Sequence, residues 1–585
     1  MYTVLENVRI VLAVLKAHNI HRIVLSPGGS NIPIVQGVQQ DPFFTCYSVV
    51  DERSAMYFAI GLALQTGEPV ATSCTTAQAT RNYLPGLTEA FYKHVPILAI
   101  TMSKHPLFVS QEYMQSPVQT SLPEDAVKKS FSLPRINDDN DRTICVRRAN
   151  EAVLELTHHG CGPVQLNIEE LDSETWSFDP AATLPDVRTI FRYGPCDKRA
   201  PSLAGKKVLL LIGEHRPFSP EETEAIEAFC ATNNVFVYAD SIANFHGKYA
   251  LQANLTAQTM STKLFLRDYK PDIVVTIGGL TGDYDIFRHL FDAPPGSFEV
   301  WRVAEDGNVV DTYKKLTAIF ACAPIEFFRR YTSSTPSLHT YFDQWNALCA
   351  SARRDLDLEF SNAYAAQQLH ARIPDGSYMN FAILNSLRAW LWFPPAPSVT
   401  CFANVAAFGI DGCLSTLVGT SMETDQLCFQ IIGDLAFFYD MNAIGIRHIR
   451  NNLRILLVNN NGGMEFKFGP LHTRMDVGSF TAADNHFKNA RGWAETQGFT
   501  YLAAHDKNEF LAHVDAFVSP SDKPILLEMF TTPAGERAAN EDLFLANRHL
   551  CPEEEPSPNL IKQGIKGLIG QDNARKLKRW FSGDN

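Results

Sequence analysis

The segment between residues 428 and 463 constrains the fold more than any other part of the chain. Its sequence, CFQIIGDLAFFYDMNAIGIRHIRNNLRILLVNNNGG, contains two apolar runs separated by a stretch with helical spacing. The first run ends in Gly-Asp and the second in three asparagines and two glycines. Parallel strands need a crossover connection, and parallel sheets bind ligands at the carboxyl ends of their strands. The segment therefore predicts a strand–helix–strand unit with a polar ligand site at its edge.

Short β-like runs alternate with helical segments through most of the chain, which is typical of α/β proteins with parallel sheets. The length of 585 residues exceeds what one hydrophobic core usually holds. We predict three doubly wound parallel-sheet domains and a C-terminal extension, with the boundaries 1–185, 186–335, 336–535 and 536–585. The extension contains a basic amphipathic segment, which indicates a membrane or partner contact, a helix packed on its own protein, or a frayed tail.

Composition and charge exclude several classes of protein. The formal net charge of −13 argues against a general nucleic-acid binder. The twelve cysteines are scattered without a C-x-x-C pair, which favours reduced thiols over a zinc module or a disulfide framework. The N-terminal sequence lacks a signal peptide's cleavage pattern, and no apolar run is long enough to span a bilayer. We therefore expect a cytoplasmic protein without an integral membrane segment.

The residues at the two predicted strand ends suit a magnesium ion with a bound diphosphate. Mg²⁺ prefers oxygen ligands and usually combines one or two carboxylates with phosphate oxygens. Asp434 supplies a carboxylate, and the N–H groups of Leu435 and Ala436 open the next helix, where anions bind favourably. Asn461 adds an amide oxygen, and Gly463 lets a backbone carbonyl turn toward the ion. The alternative is a unit in which Asp434 caps a helix and the asparagines form a turn.

This motif resembles the fingerprint of thiamine-diphosphate (ThDP) enzymes, which is Gly-Asp-Gly, a fixed gap and Asn-Asn. Leu435 replaces the second glycine, and with DMNAI and NNNGG this is most similar to the SEPHCHC synthase branch of menaquinone biosynthesis. The resemblance implies that Asp434, the Asn461 side chain and the Gly463 carbonyl bind Mg²⁺, or Mn²⁺ or Ca²⁺ in its place. The cofactor contacts that it implies are Glu52, Phe408, Gly409, Ile410, Gly433, Asp434, Leu435, Ala436, Asn461, Gly463, Met464 and Glu465.

Two further segments fit the same resemblance, which covers residues 1 to roughly 535. Glu52, in YSVVDERSAMYFAIGLA, falls on the glutamate that activates the cofactor's pyrimidine ring, although DER alone is also typical of an acidic helix start. Ile410, in FGIDG, falls on the aliphatic residue that bends the cofactor, although an isolated isoleucine is ordinarily a core residue. The three domains are then the pyrimidine-binding, central and diphosphate-binding domains. The resemblance also implies a homodimer or homotetramer in which Glu52 and Asp434 of different subunits meet at the active site.

The expected substrate-binding residues depart from this resemblance. SEPHCHC synthases hold 2-oxoglutarate and isochorismate, whose carboxylates suit arginine and lysine. The family's arginines are missing from residues 26–30 (SPGGS) and 404–406 (NVA), and residues 103–106 (SKHP) replace its Asp-Arg-Pro. Tyr284 and Asp285 stand where the family has a Lys-Arg pair. Such losses should remove affinity for a substrate with several carboxylates.

We therefore predict a ThDP- and Mg²⁺-dependent decarboxylase or carboligase with a remodelled substrate pocket. Its donor is a 2-oxo acid, and the resulting acyl carbanion is protonated or transferred to an aldehyde or enoate acceptor. The candidate catalytic and orienting residues are Glu52, Gln115, His105, Glu465, Gln78 and Lys104. The alternatives are SEPHCHC synthase activity itself, with Arg81 or Arg388 replacing the lost cations, and a relative that binds ThDP without turnover.

Overall fold

The structure is a computed structural model, and it describes residues 1–170, 176–282, 284–468 and 475–551. Contacts within the chain define two compact units, Met1–Pro201 with Glu299–Phe327, and Ser202–Phe298 with Phe328–Asn585. The division into three domains with an extension stays a prediction. The basic amphipathic segment predicted near the C-terminus lies outside the described residues.

The first unit contains a six-stranded sheet in which all neighbouring strands run parallel. Its apolar residues are buried on both faces, as expected for a parallel sheet covered by helices. In spatial order its strands are Thr45–Ser48, Arg22–Leu25, Val70–Cys74, Ile97–Lys104, Val164–Glu170 and Ser130–Leu133. Its helices are Glu6–Ala17, Ile32–Gln39, Glu52–Thr66, Gln78–Asn82, Leu84–Tyr92 and Asp139–Glu155.

The same unit contains three further strands that pair in parallel, in the order Glu299–Val303, Leu316–Phe320 and Phe191–Tyr193. A short antiparallel pair joins Tyr2–Thr3 to Phe178–Asp179.

Local capping positions the helix Glu52–Thr66 at the carboxyl edge of the first unit's six-stranded sheet. The Asp51 side chain accepts hydrogen bonds from the N–H groups of Arg53 and Ser54, which would otherwise lack partners. The helix ends at Gly67, whose φ of 70° is the left-handed conformation that glycine adopts without strain. Glu52 therefore lies in the first turn, immediately after the exit from a strand.

The second unit contains the sheet predicted from residues 428–463, and all its neighbouring strands are parallel. In spatial order they are Thr400–Ala403, Tyr378–Phe381, Cys428–Gly433, Leu453–Asn459, Ile525–Phe530 and Thr500–Ala504. The accompanying helices are Asn362–Leu369, Asn385–Trp392, Cys413–Ser421, Asp434–Tyr439, Arg491–Thr496, Lys507–Phe517 and Pro533–Ala546. The two predicted strands are confirmed as parallel neighbours.

The crossover between these two strands is only partly helical. It contains the helix Asp434–Tyr439 and the 3₁₀ turn Met441–Gly445. Asp440 follows the helix directly, and its φ of −113° is outside the helical range. Its carboxylate accepts hydrogen bonds from the N–H and the hydroxyl of Ser415. These hydrogen bonds join the end of this helix to the helix Cys413–Ser421.

The remaining strands of the second unit also pair in parallel, in the order Ala250–Leu251, Asn234–Ala239, Lys207–Ile212 and Ile273–Ile277. The helices of this part include Pro220–Thr232, Asn254–Thr259, Tyr284–Asp292 and Thr340–Ala350. Parallel sheets flanked by helices confirm the predicted α/β class. Across the described part of the chain, no helix has both the length and the apolar character needed to cross a bilayer.

Candidate active site

The two predicted metal-binding segments lie side by side at the carboxyl edge of the second unit's six-stranded sheet. Gly433 pairs with Val458 in parallel register, so the chain leaves both strands at the same level. Asp434 is only 2% exposed, and its Oδ2 accepts a hydrogen bond from the Gly462 N–H at 2.9 Å. The structure therefore brings this carboxylate next to the loop that carries the other two predicted ligands.

The loop after the second strand has a backbone conformation that few residues adopt. Asn461 has a φ of 63° and Gly462 a φ of 154°. A Cβ atom at Gly462 would lie 2.1 Å from Asp484 Oδ1 and 3.0 Å from the Ala482 carbonyl oxygen. The same carbonyl accepts a hydrogen bond from the Gly463 N–H at 2.6 Å. Close backbone approach and a positive φ together require glycine at position 462.

Two residues that the motif did not indicate contact the predicted ligands. His486 Nε2 lies 3.1 Å from Asp434 Oδ2, and the Phe487 N–H donates to Asn461 Oδ1 at 2.8 Å. Burial raises the pKa of Asp434 above its ordinary value, and hydrogen bonds from His486 and two backbone N–H groups offset only part of this effect. No strand or helix periodicity precedes His486, so no sequence pattern indicated this residue.

A second buried carboxylate supports the asparagine loop. Glu528 accepts hydrogen bonds from Asn459 Nδ2 at 2.7 Å, the Ala490 N–H at 2.9 Å and the Tyr501 hydroxyl at 2.8 Å. Asn459 Oδ1 in turn accepts from the Asn461 N–H at 3.2 Å. Asn459 therefore positions the loop, and Glu528 fixes Asn459.

Glu52 lies at a helix start in the first unit. Its Oε2 lies 3.5 Å from Asn82 Nδ2. Burial raises the pKa of the Cys74 thiol, and the charge of nearby Glu52 adds to this effect. Gly28 packs tightly against Thr75, since a Cβ atom at Gly28 would lie 2.0 Å from Thr75 Cγ2. The turns that follow two neighbouring strands are therefore in contact in this part of the first unit.

Gln78 and Gln115 line one cleft of about 630 Å³ in the first unit, together with Arg81 and Tyr113. Arg81 Nη2 donates to the Val118 carbonyl at 2.6 Å. Gln115 is exposed and has a φ of 56°, a strained conformation for a residue other than glycine. Both predicted glutamines therefore face the same space.

Lys104 and His105 have their own partners in the first unit. Lys104 forms a buried ion pair with Glu170, with 3.3 Å between Nζ and Oε1. His105 Nδ1 accepts a hydrogen bond from the Leu107 N–H at 3.2 Å. The ion pair neutralises the lysine that was a candidate orienting group.

The loop that carries Phe408 and Ile410 follows the strand Thr400–Ala403. Both side chains are large and apolar, yet they are 39% and 38% exposed, and Phe408 has a φ of 62°. A cleft of about 510 Å³ lies at this loop, lined by Glu214, Ala403, Asn404, Ala406, Ala407, Gly409 and Asp411. Burial raises the pKa of Glu214, and a hydrogen bond from the Ala403 N–H offsets part of the shift. The loop thus presents apolar side chains beside an acidic cleft.

Glu465 follows the asparagine loop closely and forms a two-pronged ion pair with Arg388. Arg388 Nη1 lies 3.1 Å from Oε2, and Nη2 lies 2.9 Å from Oε1. The guanidinium lies 5.5 Å from the centre of the Tyr284 ring, which meets the Phe408 ring nearly edge-on at 5.6 Å. The sequence suggested Glu465 as a catalytic group and Arg388 as a substitute cation, and the structure pairs them with each other.

Comparison with known proteins identifies the class of this chain. The profile of the thiamine pyrophosphate enzyme N-terminal TPP binding domain matches residues 6–122, a range that includes Glu52. Together with the parallel sheets, this match defines a thiamine-diphosphate-dependent enzyme.

Similar proteins narrow this class. A 2-succinyl-5-enolpyruvyl-6-hydroxy-3-cyclohexene-1-carboxylate (SEPHCHC) synthase from Bacteroides fragilis is 34% identical over 569 residues, which cover 93% of this chain and 99% of that protein. Synthases of the same name from Phocaeicola vulgatus and Bacteroides thetaiotaomicron are each 33% identical, covering 91% and 93% of this chain and 96% and 99% of theirs. The chain therefore belongs to the SEPHCHC synthase family. It is a ThDP-dependent enzyme of carbon–carbon bond formation.

Proposed function

We propose that this enzyme uses ThDP and Mg²⁺ to decarboxylate a 2-oxo acid. The acyl group is then protonated or transferred to an aldehyde or enoate acceptor. The observation that carries the proposal is the contact of the buried Asp434 carboxylate with the Gly462 N–H, between the two other predicted metal ligands.

The residues at this sheet edge fit a metal with a bound diphosphate. Asp434, the Asn461 amide and the Gly463 carbonyl are oxygen donors of the kind that Mg²⁺ prefers. The Oδ1 atom of Asn460 is buried and has no hydrogen-bond partner among the described residues, which supports a missing polar ligand nearby. A Cβ atom at Gly433 would meet no other atom within 4 Å, so there is room beside the start of the helix. Asp434, Asn461 and Gly463 would hold the metal.

Other residues of the chain would hold and orient the cofactor. Bound ThDP supplies the nucleophilic carbon that attacks the keto group of the substrate. Glu52 would share a proton with the pyrimidine ring of the cofactor, and the exposed Ile410 side chain would press against it. Gln78 and Gln115 would donate hydrogen bonds to the substrate, because both line the same cleft.

We further propose that the substrate pocket differs from that of SEPHCHC synthases. Val405, in the segment where the family has an arginine, is buried in the core. Lys104 is neutralised by Glu170. Tyr284 occupies a position where the family has a cation and packs against Phe408. These environments support a less anionic substrate.

The proposed assembly is a homodimer or homotetramer with active sites shared between subunits, in the cytoplasm. All twelve cysteines lie in the described residues and none is joined in a disulfide there, which supports a reducing compartment.

Cofactor binding is tested by thermal unfolding with ThDP and Mg²⁺, with and without a chelator. Ligand at about 100 times its Kd should stabilise the folded protein by about 2.7 kcal/mol. Asp434→Ala should abolish this shift, because the metal loses its carboxylate. Glu52→Gln should keep most of the shift while turnover falls below detection. A wild-type protein without any ThDP-dependent shift, or Glu52→Gln with full activity, would contradict the proposal.

The substrate is tested with a panel of 2-oxo acids scored for carbon dioxide release, with and without acceptor aldehydes. SEPHCHC synthase activity is the second candidate, because the similar proteins carry that name over nearly the whole chain. Rapid product formation from 2-oxoglutarate and isochorismate would favour this second candidate over the remodelled pocket.

A further inference from the structure

The ion pair between Arg388 and Glu465 is a partly buried element of the second unit. The side chains are 16% and 29% exposed, and two hydrogen bonds join them. Burial lowers the pKa of Arg388, but hydrogen bonds and charge from Glu465 more than compensate, so the pKa lies above its ordinary value. Such two-pronged pairs, shielded from water, are stronger than exposed ones.

The position of this pair connects it to the proposed cofactor site. Glu465 lies in the 3₁₀ turn Met464–Lys467, directly after the predicted ligand Gly463. The Arg388 guanidinium lies over the Tyr284 ring, whose edge contacts Phe408 in the loop of Ile410. We call Arg388, Glu465 and Tyr284 the charged wall.

The charged wall includes one polar atom that a bound ligand would satisfy. The Tyr284 hydroxyl oxygen is buried and has no hydrogen-bond partner among the described residues. Buried hydroxyl groups in proteins are nearly always hydrogen-bonded, so an unpartnered one indicates a missing polar group. The charged wall therefore combines Arg388, whose charge Glu465 neutralises, with a Tyr284 hydroxyl group that has no hydrogen-bond partner among the described residues.

A carboxylate on the substrate would compete with Glu465 for the same two Arg388 donors. Displacing Glu465 would leave a partly buried anion without its partner, which is strongly unfavourable. Glu465 thus occupies the two Arg388 donors that a carboxylate of the substrate would otherwise bind. An uncharged group meets no such competition.

We propose that the Arg388–Glu465 pair is a specificity determinant that rejects 2-oxo acids with a second carboxylate. The part of the substrate that lies against the charged wall is uncharged. This inference rests on the proposed function, in which the site accepts a 2-oxo acid.

The test compares 2-oxopentanoate with 2-oxoglutarate, which differ only in the terminal carboxylate. The wild type should prefer 2-oxopentanoate in kcat/KM. Glu465→Gln keeps the side-chain shape and removes the anion that is hydrogen-bonded to Arg388, so the preference should shift toward 2-oxoglutarate by at least about tenfold, mainly through KM. A wild type that prefers 2-oxoglutarate, or a variant with an unchanged ratio, would overturn the inference.

A binding measurement separates this inference from the proposed function. Calorimetric titration of the ThDP-loaded protein with glutarate and pentanoate, neither of which reacts, should show the same shift in preference in Glu465→Gln. Absence of carbon dioxide release from every 2-oxo acid would reject the proposed function, whereas an unchanged binding ratio would reject the specificity role alone.

The matched control is Glu222→Gln. Glu222 forms an equivalent two-pronged pair with Arg216, at 2.9 and 2.6 Å, near the start of the helix Pro220–Thr232. This substitution also releases an arginine, but at an exposed helix start. The control should leave the ratio between the two substrates unchanged, and a shift equal to that of Glu465→Gln would overturn the specificity role.

Discussion

Glu536 is a fully buried acid in the second unit, near enough to Asp434 for their charges to interact. Its carboxyl group accepts hydrogen bonds from the Asn362 N–H at 3.1 and 3.2 Å and from the Thr531 hydroxyl at 2.8 Å. Burial nevertheless raises its pKa from 4.5 to about 7, because these bonds only partly replace lost hydration. The group is therefore partly protonated near neutral pH.

This shift predicts how stability depends on pH. The folded-state pKa of Glu536 is above the unfolded value, so the folded protein binds more protons between about pH 4.5 and 7. The contribution of Glu536 to the free energy of unfolding should therefore decrease as pH rises through that window. Glu536→Gln should remove this dependence. The free energy of unfolding of the variant, relative to that of the wild type, should therefore rise by up to about 3 kcal/mol between pH 4.5 and 7.5, as measured by denaturant unfolding. Parallel pH profiles of the two proteins would contradict this assignment.

At the scale of elements, the loop after the strand Leu453–Asn459 combines strain with tight packing. Gly462 has no room for a side chain because Asp484 and the Ala482 carbonyl approach it closely. The neighbouring strand ends are fixed by regular pairing, so the loop alone absorbs the unusual backbone angles. Strain of this kind persists at functional sites where the surroundings hold it in place.

Gly462→Ala should therefore disturb this loop more than the sheet. We expect the folded protein to lose about 1–3 kcal/mol, as is usual for a residue held in an unfavourable conformation. The ThDP-dependent melting shift should need at least about tenfold more Mg²⁺, since a displacement of one ligand weakens the site. Gly419→Ala is the control, because its Cβ atom meets nothing within 4 Å on an exposed face of the helix Cys413–Ser421. Equal metal dependence in both variants would show that the loop does not bind the metal.

Sequence patterns predicted the parallel sheets and the adjacency of Asp434 to the asparagine loop, because strand periodicity and strand-end residues are local signals. The predicted crossover helix is present, but its contact with Ser415 through Asp440 is one that no periodicity shows. The contacts of His486 with Asp434, and of Arg388 with Glu465, join residues far apart in sequence. Such pairs depend on how the elements pack, so a single sequence does not indicate them.

At the scale of the whole molecule, the two halves of the proposed site belong to different units. Glu52 lies in the first unit and Asp434 in the second. Under the proposed assembly, each active site takes Glu52 from one subunit and Asp434 from its partner.

Mixing two inactive variants tests this arrangement. Glu52→Gln and Asp434→Ala subunits, unfolded and refolded together in equal amounts, should form mixed dimers with one intact and one doubly altered site. Random pairing in a symmetric dimer should restore about a quarter of the wild-type activity. Each variant refolded alone is the control. No recovery, despite mixed dimers detected by native mass spectrometry, would place both residues of each site within one subunit.

The discontinuity of the first unit has a consequence for protein synthesis. Its strand Phe191–Tyr193 pairs with Leu316–Phe320, although residues 202–298, which are made in between, belong to the second unit. At about 5–20 residues per second, the ribosome needs on the order of ten seconds to deliver the missing segment. During that interval the nascent chain exposes an unpaired strand edge, which is a site for aggregation or chaperone binding.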